Sequence, residues 1–201
     1  DESVILAYWQ LRDGVADHDW LHGMKYLGVS KILEPAYRRA ARIRPAFDQT
    51  VRRQLQLRYG VDCQIKWPND LLLNGKKIVG ILCESVSYGY QQQGRGILCG
   101  IGINLAQPQS YFDAADLPHG TSLALQGAAV DLSTDPAWLA EGLTDFGFDR
   151  SLYTFARDGF APFREEYKAA CINLGRRVTF DLPDGSQGAG EAVDVDAEGR
   201  L

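Results

Sequence analysis

The sequence predicts an α+β fold, in which helices flank a mixed or antiparallel sheet. Strand-like and helix-like segments alternate along the 201 residues without a regular strand–helix–strand rhythm, and a tight hairpin lies near the middle. No glycine fingerprint follows a strand and opens a helix, which argues against a doubly wound dinucleotide-binding fold.

The segment before the hairpin combines two predicted strands with two predicted helices. The β-branched and aromatic residues near the start of the chain favour a strand, and Pro35 is expected to divide the first helix into two pieces. Gly60 is the kind of residue that follows a helix end. The predicted elements are strands over 3–11 and 61–66 and helices over 20–43 and 46–59.

Asn74-Gly75 carries the clearest local signal, because it separates the apolar run 71–73 from the strand-like run 76–84. Both positions of such a two-residue turn need a positive φ, which Asn-Gly adopts at little steric cost. The later part of the chain predicts a strand over 97–105, helices over 136–146 and 151–173, and short strands over 177–182 and 189–195.

Composition changes near Leu174, where short strands broken by Pro-Asp-Gly and Ala-Glu-Gly replace the helices. We therefore predict two domains, over 1–174 and 175–201. The second has the composition of a small barrel.

Charge and hydropathy exclude several classes of function. A net charge of -5 does not suit a protein that coats nucleic acid, which needs a basic stripe. No apolar run reaches the roughly 18 residues of a membrane span. We expect neither a nucleic-acid nor a membrane partner.

The four cysteines do not have the spacing of a metal site. No Cys-x-x-Cys pair occurs among Cys63, Cys83, Cys99 and Cys171, and no histidine lies at ligand spacing from them. Cys83 and Cys99 lie in apolar runs, where cysteine behaves as a small hydrophobe. Buried, reduced thiols indicate a cytoplasmic protein.

Lys66-Trp67-Pro68-Asn69-Asp70 places a lysine at the end of a predicted strand. Proline stops the strand, so the ammonium group lies at a rim beside a turn whose Asn69 and Asp70 can bond a ligand or backbone groups. Such a lysine suits a point-charge role beside a carboxylate and a phosphate. A surface lysine at a strand end, with Trp67 in the core, is the alternative.

Gly100-Ile101-Gly102-Ile103-Asn104 predicts a strand with an empty face. Gly100, Gly102 and Asn104 share one face, whereas the two isoleucines are buried on the other. With Gly80 in the neighbouring strand, these glycines would leave a trough for a flat ligand, or would allow a helix to pack closely. We call Gly80, Gly100 and Gly102 the glycine trough.

The two motifs together resemble those of biotin–protein ligases. The likeness extends from KWPNDLLLNGKKIVGILCES, beginning at Lys66, and GIGINL, beginning at Gly100, to Thr121-Ser122-Leu123 and to the segment 163–178. It covers roughly residues 60–201. The resemblance implies a catalytic domain akin to class II aminoacyl-tRNA synthetases, followed by an SH3-like barrel.

The resemblance also implies a two-step activity. Biotin and ATP, with Mg²⁺, would form biotinyl-5′-adenylate, and a lysine of a biotin carboxyl carrier domain would then attack the mixed anhydride. The resemblance leaves a homodimer open.

Residue roles follow from the same resemblance. Lys66 would be the catalytic lysine that bridges the biotin carboxylate and the α-phosphate. The glycine trough would bind biotin, with Leu71 as an apolar wall. Asn104 would face the adenine, and Asn69 and Asp70 would complete the ATP site.

The sequence departs from the family pattern at its two ends and in one helical stretch. The family's GRGRxGR loop should precede the strand over 3–11, and further barrel strands should follow Leu201, so we expect the chain to be incomplete and, by itself, not a competent ligase. The predicted helical stretch within 15–43 is longer than in the family. The alternatives are a catalytically inactive binding protein of the same fold and a lipoate–protein ligase.

Overall fold

The computed structural model describes residues 3–12, 25–29, 43–88, 94–182 and 184–201. Within them, six strands form one sheet in the order β2-β1-β6-β5-β4-β3. The strands are β1 (Ser3–Arg12), β2 (Lys25–Val29), β3 (Gln64–Lys66), β4 (Asp70–Leu73), β5 (Lys76–Tyr88) and β6 (Gly94–Asn104).

The sheet is mixed, as the sequence predicts. β1 pairs in parallel with β6, and the other pairings of the sheet are antiparallel. The predicted hairpin is confirmed: β4 and β5 are joined at Asn74 and Gly75, whose φ angles are 50° and 76°. The strand predicted over 97–105 belongs to the same sheet, as β6.

A β-bulge interrupts the hairpin soon after the turn. Leu72 pairs with Lys77 but Leu71 pairs with Val79, so Ile78 is an extra residue in β5. Ile78 and Val79 are therefore adjacent in sequence and both buried. A bulge of this kind changes the face to which the residues before it point.

Helices cover one face of the sheet. They are α1 (Arg44–Tyr59), α2 (Gln109–Ala114), α3 (Asp135–Glu141), α4 (Asp149–Asp158) and α5 (Ala161–Ala170), with a π-helical segment (Gly142–Phe148) between α3 and α4. Ile65, Val79 and Ile101 from the strands meet Phe47 and Phe148 in the core. No described helix is both long enough and apolar enough to span a membrane.

A second, two-stranded antiparallel sheet follows the helices. It consists of β7 (Arg177–Asp181) and β8 (Gln187–Glu191). The residues after β8 return to the main core, where Val195 is fully buried. The indole Nε1 of Trp67 donates to the carbonyl oxygen of Gly199 at 3.1 Å. The last residues of the chain therefore contact Trp67, which directly follows Lys66.

Several sequence predictions need correction. Residues 25–29 are a strand rather than part of the helix predicted over 20–43, because they pair with β1 along the edge of the sheet; the rest of that stretch, including Pro35, lies outside the described residues. The helix predicted over 151–173 is two helices, since Gly159 has a φ of 71° and breaks the first. The helix predicted over 136–146 continues into the π-helical segment. Helix α2 was not predicted.

Candidate functional site

Four residues with predicted roles form one row across the sheet. Lys66 pairs with Asp70, Asp70 pairs with Gly80, and Gly80 pairs with Gly102. Side chains of directly paired residues point to the same face of a sheet. The structure therefore brings the lysine, the carboxylate and two glycines of the trough together on one face.

The neighbouring row extends the glycine trough. Gly100 pairs with Leu82, two residues from Gly102 and Gly80, so both lie on the same face. A Cβ atom built on Gly100 would have the carbonyl oxygen of Leu82 as its nearest described neighbour, at 4.0 Å. Among the described helices, none lies within 4 Å of such an atom on Gly100.

Leu71 lies on the other face of the sheet. It pairs with Ile65 and Val79, is fully buried and belongs to the helix-covered core. The prediction that Leu71 walls the trough is therefore wrong, because a strand alternates and Leu71 is adjacent to Asp70. Leu82 is an apolar side chain on the face that carries the glycines, and 56% of its surface is exposed.

Lys77 is a candidate site residue that the sequence analysis did not name. Its Nζ atom lies 2.5 Å from Oδ1 of Asp70, and 45% of its side chain is exposed. A Cβ atom built on Gly80 would lie 3.3 Å from both Cε and Nζ of Lys77. The ammonium group is thus held directly above one glycine of the trough.

The bulge explains this position of Lys77. In a regular strand, residues three apart lie on opposite faces, so Lys77 and Gly80 would be separated by the sheet. The extra residue Ile78 shifts the alternation and returns Lys77 to the glycine face. The sequence contains one indication of the bulge: Ile78 and Val79 are consecutive apolar residues, and both are buried.

The backbone of Lys77 is fixed from both sides. It pairs with Leu72 across the hairpin, its N–H donates to the carbonyl oxygen of His119 at 2.7 Å, and its own carbonyl oxygen accepts from the N–H of Thr121 at 2.9 Å. The lysine stem therefore leaves from a rigid point while the ammonium group remains partly in solvent.

Asn104 lies at the end of the trough, on the face of Gly100 and Gly102. Its Nδ2 atom donates to the carbonyl oxygen of Thr121 at 3.0 Å. This bond holds the amide in place against the Thr121-Ser122-Leu123 segment, where the hydroxyl of Ser122 donates to the carbonyl oxygen of Gln107 at 2.8 Å.

Lys66 and Asn69 occupy the outer rim of the row. Lys66 is exposed on the edge strand. The carbonyl oxygen of Asn69 accepts from the N–H of Ile81 at 2.8 Å, which ties the turn to β5. Trp67 is fixed through its N–H, which donates to Oδ1 of Asn173 at 2.8 Å.

A buried acid lies on the core side of the sheet, in helix α1. Asp48 is fully buried, and burial raises its pKa to about 8 although nearby Arg44 acts in the opposite direction. The hydroxyl of Tyr167 donates to its Oδ2 at 3.4 Å, and Oδ1 has no hydrogen-bond partner. Asp48 is therefore largely a neutral acid near pH 7.

The described residues contain no group of three or more histidine, cysteine, aspartate or glutamate side chains placed to hold a metal ion. The described residues of this face provide a row of glycines, one exposed leucine and a cationic end. That arrangement suits a flat, partly apolar molecule with an anionic group.

Comparisons with known proteins agree with this description. Residues 25–104 match the sequence model of the biotin/lipoate A/B protein ligase family. Over 142 residues the chain is 30% identical to the bifunctional ligase/repressor BirA of Bacillus subtilis, covering 71% of this chain and 42% of that protein. Over 138 residues it is 32% identical to the biotin–[acetyl-CoA-carboxylase] ligase of Mycobacterium tuberculosis. This match covers 68% of this chain and 46% of that ligase.

Solved structures share the fold. The apo biotin protein ligase of Aquifex aeolicus superimposes with a TM-score of 0.62 at 19% identity, over 84% of this chain and 69% of that one. The complex of the same ligase with biotin and ATP gives a TM-score of 0.60 at 22% identity, over 79% of this chain and 62% of that one. The chain spans less than half the length of the two curated relatives above.

Proposed function

We propose that this chain, whose resemblance to biotin–protein ligases the sequence matches confirm, is the biotin- and ATP-binding part of such a ligase. The observation that carries the proposal is that the cationic Lys77, the carboxylate of Asp70 and the glycine trough lie together on one face of the sheet. The related Aquifex aeolicus ligase binds biotin and ATP.

The proposed reaction has two steps. An oxygen of the biotin carboxylate attacks the α-phosphorus of ATP, which gives biotinyl-5′-adenylate and releases pyrophosphate. The amine of a lysine in a biotin carboxyl carrier domain then attacks the acyl carbon, loses a proton and releases AMP. The first step brings two anions together, and in the second negative charge develops on the acyl oxygen and on the departing AMP, so the site must supply positive charge.

Biotin is proposed to lie along the glycine trough. The bicyclic ring would lie against the strand backbone at Gly100 and Gly102, with Lys77 above Gly80 at one end of the trough and Leu82 beside the apolar side of the ring. A leucine that is 56% exposed in the free chain gains contact area when such a ring binds beside it.

Two lysines are proposed to share the anionic groups. Lys77 lies above the trough floor, where the carboxylate end of biotin would arrive, and its ion pair with Asp70 holds it there. Lys66 stands at the edge of the same row, exposed and able to reach the α-phosphate. The role first given to Lys66 alone is therefore divided between two charges.

ATP is proposed to bind at the ends of this row. Asn104 would recognise the adenine edge through its carbonyl oxygen, since its Nδ2 donates to Thr121. Asn69 and Asp70 would line the phosphate side. Mg²⁺ enters the proposal as part of the ATP complex, where triphosphate oxygens supply the hard ligands that it prefers.

The finer architecture and setting of the ligase belong to the same proposal. The sheet and helices would form a class II synthetase-like domain over 1–174, and β7 and β8 would begin an SH3-like barrel over 175–201. The protein would act in the cytoplasm on a carrier domain. Nucleic acid and membrane have no part in this proposal, and a homodimer remains open.

Biotin-dependent exchange of labelled pyrophosphate into ATP tests the first step on the full-length protein. Exchange with biotin and not with lipoate is the expected result. Exchange with lipoate alone would favour the lipoate-ligase alternative. Biotin binding without any exchange would favour the inactive binding protein.

A further inference from the structure

Two thiols face each other across the central strands. Cys83 of β5 and Cys99 of β6 are directly paired in the antiparallel register, and their Sγ atoms lie 3.5 Å apart. Both cysteines are free. Neither cysteine has a role in the ligase reaction proposed above.

The backbone positions suit a covalent bond between these thiols. Directly paired residues of antiparallel strands have Cα atoms about 4.5–5.5 Å apart, which lies inside the range of about 4.4–6.8 Å found in disulfides. The two sulfur atoms need to approach from 3.5 Å to about 2.05 Å. Rotation of the two side chains about their Cα–Cβ bonds is the movement that would close this distance.

The two thiols differ in access to solvent. Cys99 is fully buried, whereas Cys83 is partly exposed. The hydrogen bond with Cys83, together with burial, raises the pKa of the Cys99 thiol. The carboxyl of Asp48, once ionised, raises the pKa of Cys99 further. An oxidant from solvent therefore meets Cys83 first, and Cys99 is placed to react second.

We propose that Cys83 and Cys99 form a reversible disulfide when the protein meets a low-molecular-weight disulfide such as oxidised glutathione. The Cys83 thiolate attacks one glutathione sulfur, which forms a mixed disulfide and releases one glutathione thiolate. The Cys99 thiolate then attacks Sγ of Cys83 and releases the second glutathione. Two protein thiols lose two protons and two electrons, and one oxidised glutathione becomes two reduced molecules.

This disulfide would lie on the reverse side of the glycine trough. The pair Cys83–Cys99 is adjacent to the pair Leu82–Gly100, and alternation along the strands places the thiols on the core face. The bond would join β5 to β6 covalently at the strands that carry Gly80 and Gly102. The inference rests on the thiol geometry and holds whether or not the chain is a ligase.

The distribution of cleavage sites makes the test simple. Trypsin cuts after lysine and arginine, so Cys63, Cys83, Cys99 and Cys171 fall in four separate peptides, over 59–66, 78–95, 96–150 and 169–176. The folded protein is exposed to oxidised glutathione at mildly alkaline pH, its remaining thiols are alkylated, and the digest is analysed by mass spectrometry. A sample unfolded in denaturant before oxidation serves as the reference.

The expected product joins peptide 78–95 to peptide 96–150, with the loss of two hydrogen atoms, and dithiothreitol separates them again. The variants Cys63→Ala and Cys171→Ala should give the same link, whereas Cys83→Ala should leave Cys99 alkylated. The proposal is overturned if the folded wild-type protein keeps both thiols alkylated or glutathionylated on separate peptides. It is equally overturned if its links match those of the unfolded reference.

Discussion

The ammonium group of Lys77 lies 2.5 Å from Oδ1 of Asp70, although the two residues belong to different strands and Lys77 directly follows the start of β5. The side chain of Asp70 is 15% exposed, so the carboxylate is sheltered while its partner extends into the open face. A paired acid of this kind fixes where the positive charge stands. The ion pair thereby defines one end of the glycine trough.

Replacement of Lys77 should affect adenylate formation more than replacement of Lys66. The Lys77→Gln variant keeps a stem of similar length but loses the charge above Gly80, so we expect biotin-dependent pyrophosphate exchange to fall by about 100-fold or more. Lys66→Gln is the matched change at the other end of the row. We expect a fall of about tenfold there, because an exposed edge lysine holds an anion less firmly.

Thermal unfolding of both variants is the control. The midpoint of Lys66→Gln should stay close to that of the wild-type protein, because Lys66 is exposed. Lys77→Gln leaves the sheltered Asp70 carboxylate without its partner and should lower the midpoint, so exchange is compared at a temperature at which both variants are folded. A larger loss of exchange in Lys66→Gln than in Lys77→Gln would return the main role to Lys66. Full exchange activity in Lys77→Gln would remove Lys77 from the site.

Part of the site was predictable because its information is local. Asn74-Gly75 specifies its turn through the φ angles of two residues, and the alternation of Gly100, Ile101 and Gly102 assigns their faces without knowledge of any partner strand. Lys66, Asp70, Gly80 and Gly102 were named separately. Their meeting in one row depends on strand register, which sequence spacing alone does not give.

The predictions were wrong where strand register or pairing determines the face of a residue or the type of an element. Leu71 was placed on the ligand side by the family resemblance, whereas alternation with Asp70 puts it on the core face. Lys77 was overlooked because the bulge at Ile78 brings it to the glycine face, against regular alternation. The strand over 3–11 was predicted, but its pairing with residues 25–29 was not, so those residues were assigned to a helix. There a contact distant in sequence outweighs the local pattern.

Gly102→Val should block biotin binding without unfolding the protein. The added side chain would occupy the trough face beside Gly80, so a ring lying on the strand backbone would meet it. We expect biotin affinity measured by titration calorimetry to fall beyond detection. Gly190→Val is the matched control on β8, where an added Cβ atom has no neighbour within 4 Å. Equal biotin affinity in a folded Gly102→Val protein and in the control would place biotin elsewhere.

Asp135 is expected to be one of the most sensitive positions for stability. Its buried carboxylate accepts hydrogen bonds from Arg58, from the hydroxyl of Tyr59 at 2.8 Å and from the N–H of Asp131 at 2.9 Å. Asp135→Ala would leave these donors unsatisfied, at a cost of about 3 kcal/mol.

For a chain of this size, the midpoint of thermal unfolding should fall by about 6 °C or more in Asp135→Ala. Asp158→Ala removes a carboxylate that is also paired with an arginine, Arg157, but on an exposed surface. Its midpoint should remain that of the wild-type protein, because exposed ion pairs contribute little. Similar shifts in the two variants would show that burial is not what makes Asp135 important.

Asp48 should make the protein less stable as the pH rises. Its pKa in the folded protein is raised to about 8 by burial, against an ordinary value of 3.8. Between these two values the folded protein holds a proton that the unfolded chain has released, so the free energy of unfolding decreases with increasing pH. The slope for one such group reaches about 1.4 kcal/mol per pH unit, and the stabilisation is complete below the unfolded pKa.

Asp48→Asn tests this origin of the slope, because asparagine keeps the shape and a carbonyl oxygen for the Tyr167 hydroxyl but does not titrate. Urea unfolding at a series of pH values should show similar stability for variant and wild type near pH 4, and a variant more stable by at least about 2 kcal/mol near pH 8. Asp158→Asn, at an exposed position, should follow the wild-type curve throughout. If Asp48→Asn also follows the wild-type curve, the carboxyl of Asp48 is not the buried acid that sets the pH dependence, and its surroundings must admit enough water to keep it ionised.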